Sequence, residues 1–168
     1  PVRGGSISFE SFINRMSFWM ATGSGKTLII VKLIELLNKL SSQHDLIPKH
    51  DILFLTHRED LLDQFRKQVE EFNQLHYDAG IQLINLKDYE QEKRDNKIPF
   101  YRHEINVFYY RSDLISDEQK ENIIDYKNYD NNGSWYILLD EAHKGDREES
   151  KRQILYSILS RNGFLFNF

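Results

Sequence analysis

The sequence has no cysteine among its 168 residues. A disulfide framework, a thiolate zinc site and a cysteine nucleophile are therefore excluded. The composition fits a reducing cytoplasm, which is the expected location. No apolar run reaches the roughly 18 residues that a membrane span needs. The longest, residues 28–37 (LIIVKLIELL), is broken by Lys32 and Glu35, so no membrane partner is expected. No secretory signal pattern opens the chain. An excess of basic charge is also missing: 22 Lys and Arg face 26 Asp and Glu, for a net charge of −4. Dedicated nucleic-acid-binding domains are usually basic. Strong passive binding of nucleic acid is thus not expected, whereas a local contact strip is compatible. His44, His50, His76 and His103 are scattered without metal-ligand spacing, which argues against a zinc site. There is no internal repeat or low-complexity tract.

What is present suits one globular domain that buries its own core, at 40% hydrophobic and 29% charged residues. The chain opens on Pro1 and stops inside the apolar run GFLFNF, residues 163–168. It reads as a piece of a longer protein. Residues 16–20 (MSFWM) predict a buried strand before a glycine-rich turn. Residues 26–40 predict a helix with Lys32, Glu35 and Lys39 on one face. A strand over 51–56 precedes an amphipathic helix over 58–75, with Leu61, Leu62, Phe65, Val69 and Phe72 on its apolar side. Residues 81–86 and 105–110 read as strands. The charged stretch between them is a surface loop or short helix. Ser116–Gln119 fits a capping box, predicting a helix to about Tyr126. Residues 135–139 (WYILL) form a continuous apolar strand, 148–160 a helix, and Gly163 leads into a last strand. Apolar strands alternating with helices predict the α/β class: three αβα layers around a mostly parallel sheet.

Between the first strand and first helix lies Gly23-Ser24-Gly25-Lys26-Thr27. Glycines let successive N–H groups point at one anion, and the following helix aims its positive end there. Lys26 can reach the β- and γ-phosphates of a nucleoside triphosphate, and Thr27 can place its hydroxyl on Mg²⁺. A chance match to this pattern in a chain of this length has odds of roughly one in a hundred. The strict pattern has glycine where Met20 stands. Asp140-Glu141-Ala142-His143 directly follows the strand at 135–139, and ligands of open parallel sheets bind at such carboxyl ends. Asp140 is the expected Mg²⁺ partner and Glu141 the residue that orients or deprotonates the attacking water. His143 is a candidate for sensing the γ-phosphate. Taken alone, the acidic pair would be a solvated strand end; the phosphate loop makes it a site.

MATGSGKT (20–27) followed by DEAH (140–143) resembles motifs I and II of superfamily 2 helicases and translocases, whose loop relaxes the first glycine. Residues 55–65 (LTHREDLLDQF) resemble motif Ia. Together with LLDEAHKGD, the combination is most similar to the Res subunit group of type III restriction enzymes. The resemblance implies a RecA-like P-loop NTPase fold, with residues 1–168 the first such domain, ending just before motif III. It implies ATP and Mg²⁺ as cofactors, held by Thr22, Gly23, Ser24, Gly25, Lys26, Thr27 and His143, with Thr27 and Asp140 on the metal and Lys26, Asp140 and Glu141 catalytic. It places Thr56, His57 and Arg58 near a nucleic-acid backbone, DNA in preference to RNA. The implied partners are that nucleic acid, a second RecA-like domain of the same parent chain and, for the narrower group, a modification subunit. The adenine-reading glutamine motif is not found, since residues 1–15 contain no Gln. Without the second domain and its arginine, the segment is expected to be nearly inactive alone.

The competing reading is a P-loop switch or kinase that does not act on nucleic acid. The guanine-reading N-K-x-D sequence is not found, which counts against a GTPase. A scaffold without turnover would have no use for Glu141. Glu149-Ser150-Lys151 weakly resembles a nuclease E-x-K, but no strand hairpin supports it. Tyr109, Tyr110 and Arg111 read as packing residues before contact residues, and the mixed charges at 144–152 as a solvated face.

Overall fold

The computed structural model describes residues 14–21, 23–76, 80–95, 105–140 and 147–168. In chain order the strands are β1 (Arg15–Ser17), β2 (Asp51–Thr56), β3 (Ile81–Asn85), β4 (Ile105–Arg111), β5 (Ile115–Ser116), β6 (Ile124–Asp125), β7 (Trp135–Leu139) and β8 (Phe164–Asn167). The helices are α1 (Lys26–Gln43), α2 (Glu59–Leu75), α3 (Tyr89–Asp95) and α4 (Arg147–Leu159). Six strands form one sheet in the order β1-β8-β7-β2-β4-β3, and every pairing is parallel.

The three layers follow from side-chain alternation along the central strands. Ile52 and Phe54 of β2 point to the same side as Tyr136 and Leu138 of β7, where they meet Ile30 and Ile34 of α1 and Phe65 and Val69 of α2. Leu53, Leu55, Ile137 and Leu139 point the other way, onto Tyr89 of α3 and Leu155, Tyr156 and Leu159 of α4. With both faces covered, β2 and β7 have no room for polar alternation, which is why they read as unbroken apolar runs. β8 starts tightly against β7. A Cβ on Gly163 would lie 2.0 Å from the Trp135 carbonyl oxygen, so this approach admits only glycine.

Two expectations fail. Residues 16–20 are not a buried strand: β1 is three residues long and exposed throughout. It lies at the sheet edge, paired with β8 alone. The capping box does not start a helix. The Ser116 hydroxyl accepts from the Glu118 N–H at 3.4 Å, one residue short of capping-box geometry. Burial of Ile115 and Ile124, pairing of β5 with β6 and a bond from the Tyr110 hydroxyl to the Asn122 carbonyl at 3.2 Å hold the segment extended. Tertiary contacts override the local signal here. The undecided stretch after residue 86 contains α3. No helix among the described residues is long and apolar enough to cross a membrane.

Candidate functional site

The end of β1 is fixed before the glycine turn begins. The Phe18 N–H donates to the Asn167 carbonyl at 2.8 Å, and the Phe18 ring stacks on Phe168 with centroids 4.7 Å apart. Gly23 and Gly25 then take φ values of +78° and +84°, a left-handed conformation that side chains disfavour. A Cβ at either position would meet nothing within 4 Å. Conformation therefore dictates glycine here, and the space above the turn is open. α1 starts at Lys26 with no side-chain cap and no acidic residue in its first turn. Its first N–H groups and positive dipole end thus have no capping side chain of their own among the described residues, an arrangement that favours a bound anion.

Asp140 arrives from the neighbouring part of the same sheet edge. Its N–H donates to the Leu55 carbonyl at 2.9 Å, which continues the β7 ladder one residue beyond the strand. Its side chain is 7% exposed, with Oδ1 3.6 Å from Lys26 Nζ. A buried carboxylate needs a compensating cation, and Lys26 provides it. β1 and β7 are not neighbours; β8 lies between them. Gly23, Gly25, Lys26, Thr27 and Asp140 line one cleft of about 800 Å³. Ser24 is exposed within the same turn. Thr22, Glu141 and His143 lie outside the described residues.

The cleft also has walls not expected of it: Phe18, Trp19, Gln68 and Gln153, with Leu61 and Gln64 from the stretch that resembles motif Ia. Leu61, Gln64 and Gln68 form a stripe on α2, beside the buried stripe of Leu62, Phe65, Val69 and Phe72. The signal for Trp19 was present in its position just before the turn, but the strand reading assigned it to the core. Gln68 and Gln153 carry no local signal, because only the packing of α2 and α4 on the sheet brings them to the cleft.

Thr56 ends β2 and His57 and Arg58 follow it, on the other side of β7, and none of them lines the cleft. Thr56 is fully buried, and its hydroxyl has no hydrogen-bond partner among the described residues. His57 is half-buried and Arg58 exposed. The cations here are engaged with carboxylates. Arg58 Nε bonds Asp60 at 2.9 Å, and this bond holds the Asp60 carboxyl below its ordinary value. Arg66 pairs with Asp63 at 2.7 Å and with Glu59 at 3.4 Å, and lies over the Tyr109 ring. Arg111 pairs with Asp113 at 2.7 Å and approaches Glu59 at 3.9 Å. The hydrogen bond to Asp113 raises the Arg111 guanidinium above its usual value.

The family model described as type III restriction enzyme, res subunit, matches residues 8–168. No curated protein matches the chain. The chain belongs to that family, which lies within helicase superfamily 2, and its sheet and flanking helices form the RecA-like α/β domain of these helicase-like ATPases.

Proposed function

We propose, from membership of this family, that the chain is the ATP-binding half of a nucleic-acid-dependent motor of the helicase or translocase type, in the manner of a restriction Res subunit. The observation that carries the reading is the meeting of Lys26 and Asp140 at 3.6 Å, beneath the open turn at Gly23 and Gly25. One cation, one buried carboxylate and the uncapped first turn of a helix suit a polyanion accompanied by a divalent metal. In this reading Thr22, Ser24 and the loop amides bind phosphate, and Lys26 holds the β- and γ-phosphate charge. Thr27 and Asp140 supply hard oxygen ligands. Magnesium accepts one or two protein oxygens and completes its shell with phosphate and water, so two protein ligands suffice.

When bound, Mg·ATP supplies the phosphoanhydride bond and the metal that offsets its charge. Glu141 orients the attacking water and accepts its proton, and His143 reports on the γ-phosphate side. His57 and Arg58 contact a nucleic-acid backbone, DNA before RNA, with buried Thr56 setting the end of the strand that presents them. A second RecA-like domain completes the site with an arginine, a contribution of several orders of magnitude in rate in related machines. The segment alone therefore holds nucleotide weakly and turns it over poorly. A modification subunit is the further partner this reading implies.

In the intact protein, Lys26→Ala should abolish DNA-stimulated ATP hydrolysis. Turnover like that of the wild type would sink the assignment. Turnover that is lost in the variant, yet indifferent to DNA and RNA in the wild type, would favour a P-loop switch or kinase.

A further inference from the structure

The chain contains two tryptophans in opposite situations. Trp135 is fully buried under α3 and α4, whereas Trp19 is 96% exposed. An indole left in water forfeits the largest apolar burial available to any side chain. The exposure is not disorder of the backbone around it, because Phe18 is pinned by its bond to Asn167 and its stack on Phe168. The fold thus holds Trp19 outward, at the mouth of the cleft that Gly23, Lys26, Thr27 and Asp140 line.

The chemistry of the cleft is divided. Among its lining residues Lys26 and Asp140 are the charged ones, and both lie at the glycine turn. The rest of the described wall is aromatic, aliphatic, amide or hydroxyl. Among the described lining residues a second anionic group would find no further cation, while a neutral planar group would find a ring to lie against. The volume, about 800 Å³, is that of a site for a drug-sized ligand and exceeds what a triphosphate alone would fill.

We propose that Trp19 is the base-stacking residue of this site, so that the nucleobase is held by its face and not read by its hydrogen-bonding edge. This rests on the reading of the cleft as a triphosphate site and adds the base contact to it. Every base offers a π-face, so stacking tolerates any base. The site therefore prefers purines over pyrimidines by their ring area and separates ATP from GTP poorly.

The test uses the full chain, with equilibrium binding of ATP, GTP, CTP and inorganic tripolyphosphate to wild type, Trp19→Ala and Trp19→Phe. Trp19 is exposed, so neither substitution should disturb folding, which the near-ultraviolet signal of buried Trp135 monitors. The expected result is about tenfold weaker binding of ATP and GTP in Trp19→Ala, largely restored in Trp19→Phe. Tripolyphosphate affinity should be the same in all three. ATP affinity unchanged in Trp19→Ala overturns the proposal while leaving the triphosphate site intact, as would an ATP preference over GTP of a hundredfold that survives the substitution. Failure of the wild type to bind either ATP or tripolyphosphate would instead remove the site itself.

Discussion

The carboxyl edge of the sheet has two halves, and they handle charge in opposite ways. Over β1, β8 and β7 the glycine turn borders open space at Gly23 and Gly25, and one lysine meets one buried aspartate. Over β2 and β4 the side chains are crowded with charge that is already spent: Arg58 on Asp60, Arg66 on Asp63 and Glu59, Arg111 on Asp113. The first half is preorganised for an anion and loses little on receiving one. The second must break internal ion pairs before its arginines can meet phosphate. A domain of net charge −4 that nonetheless engages nucleic acid would thereby avoid holding it passively.

The comparison can be broken most forcefully at Asp140. Asp140→Asn keeps the shape of the side chain and removes the charge facing Lys26. Magnesium-dependent hydrolysis by the intact protein should fall by about 100-fold or more, while nucleotide binding measured in EDTA should survive. Equal losses with and without the metal would show that Asp140 serves structure and not the metal. Next is Gly25→Ala. The substitution places a Cβ in the left-handed region at a cost of about 1–2 kcal/mol, so the melting temperature should drop by about 2–8 °C and nucleotide affinity with it. An unchanged melting curve would mean that the turn is not held as described.

On the crowded half, smaller effects are expected and in the opposite direction. Asp60→Asn and Asp113→Asn each release an arginine. Single-stranded DNA should bind more tightly, and the slope of log affinity against log salt should steepen by about 0.7 per arginine engaged. Weaker binding in these variants would make the carboxylates positioning groups for the arginines and not competitors of phosphate. The smallest effect is on stability. Arg58 depresses the Asp60 carboxyl below 3.8, so the pair stabilises the folded state at neutral pH and is lost as pH falls through that lowered value. The slight stability deficit of Asp60→Asn at pH 7 should therefore vanish in strong acid, as thermal melts at pH 7 and pH 2 would show.

The two halves also differed in how far the sequence disclosed them. The glycine turn, Lys26, Thr27 and Asp140 are legible because the glycines run straight into the start of α1 and Asp140 directly follows β7, and β2 and β7 have the expected bounds, 51–56 and 135–139. The distance between Lys26 and Asp140 was not legible, since it depends on β8 entering between two earlier strands. The pairing of Arg58 with Asp60 spans only two residues, but the motif specifies the cation and not the carboxylate that engages it. β1 was misread as buried because MSFWM is apolar in composition, and composition does not report whether a strand has neighbours on both sides. The helix expected over 116–126 fails for the converse reason: the local cap signal is outweighed by Ile115 and Ile124 packing into the core with Tyr110 of β4.

The position of β8 has a kinetic consequence. β1 pairs with no other strand, and the register couples Arg15 to Leu165 and Ser17 to Asn167, residues that are 150 positions apart. Closing a loop of that size must precede any reward from the contacts it brings. β2, β4 and β7 can pair among themselves first, so the glycine turn is the part of the domain that waits. A chain growing from its amino terminus presents MATGSGKT early and cannot fold it into place until residue 167 has been made. If the turn holds a nucleotide as proposed, that binding is a late event of folding and reports that β8 has docked.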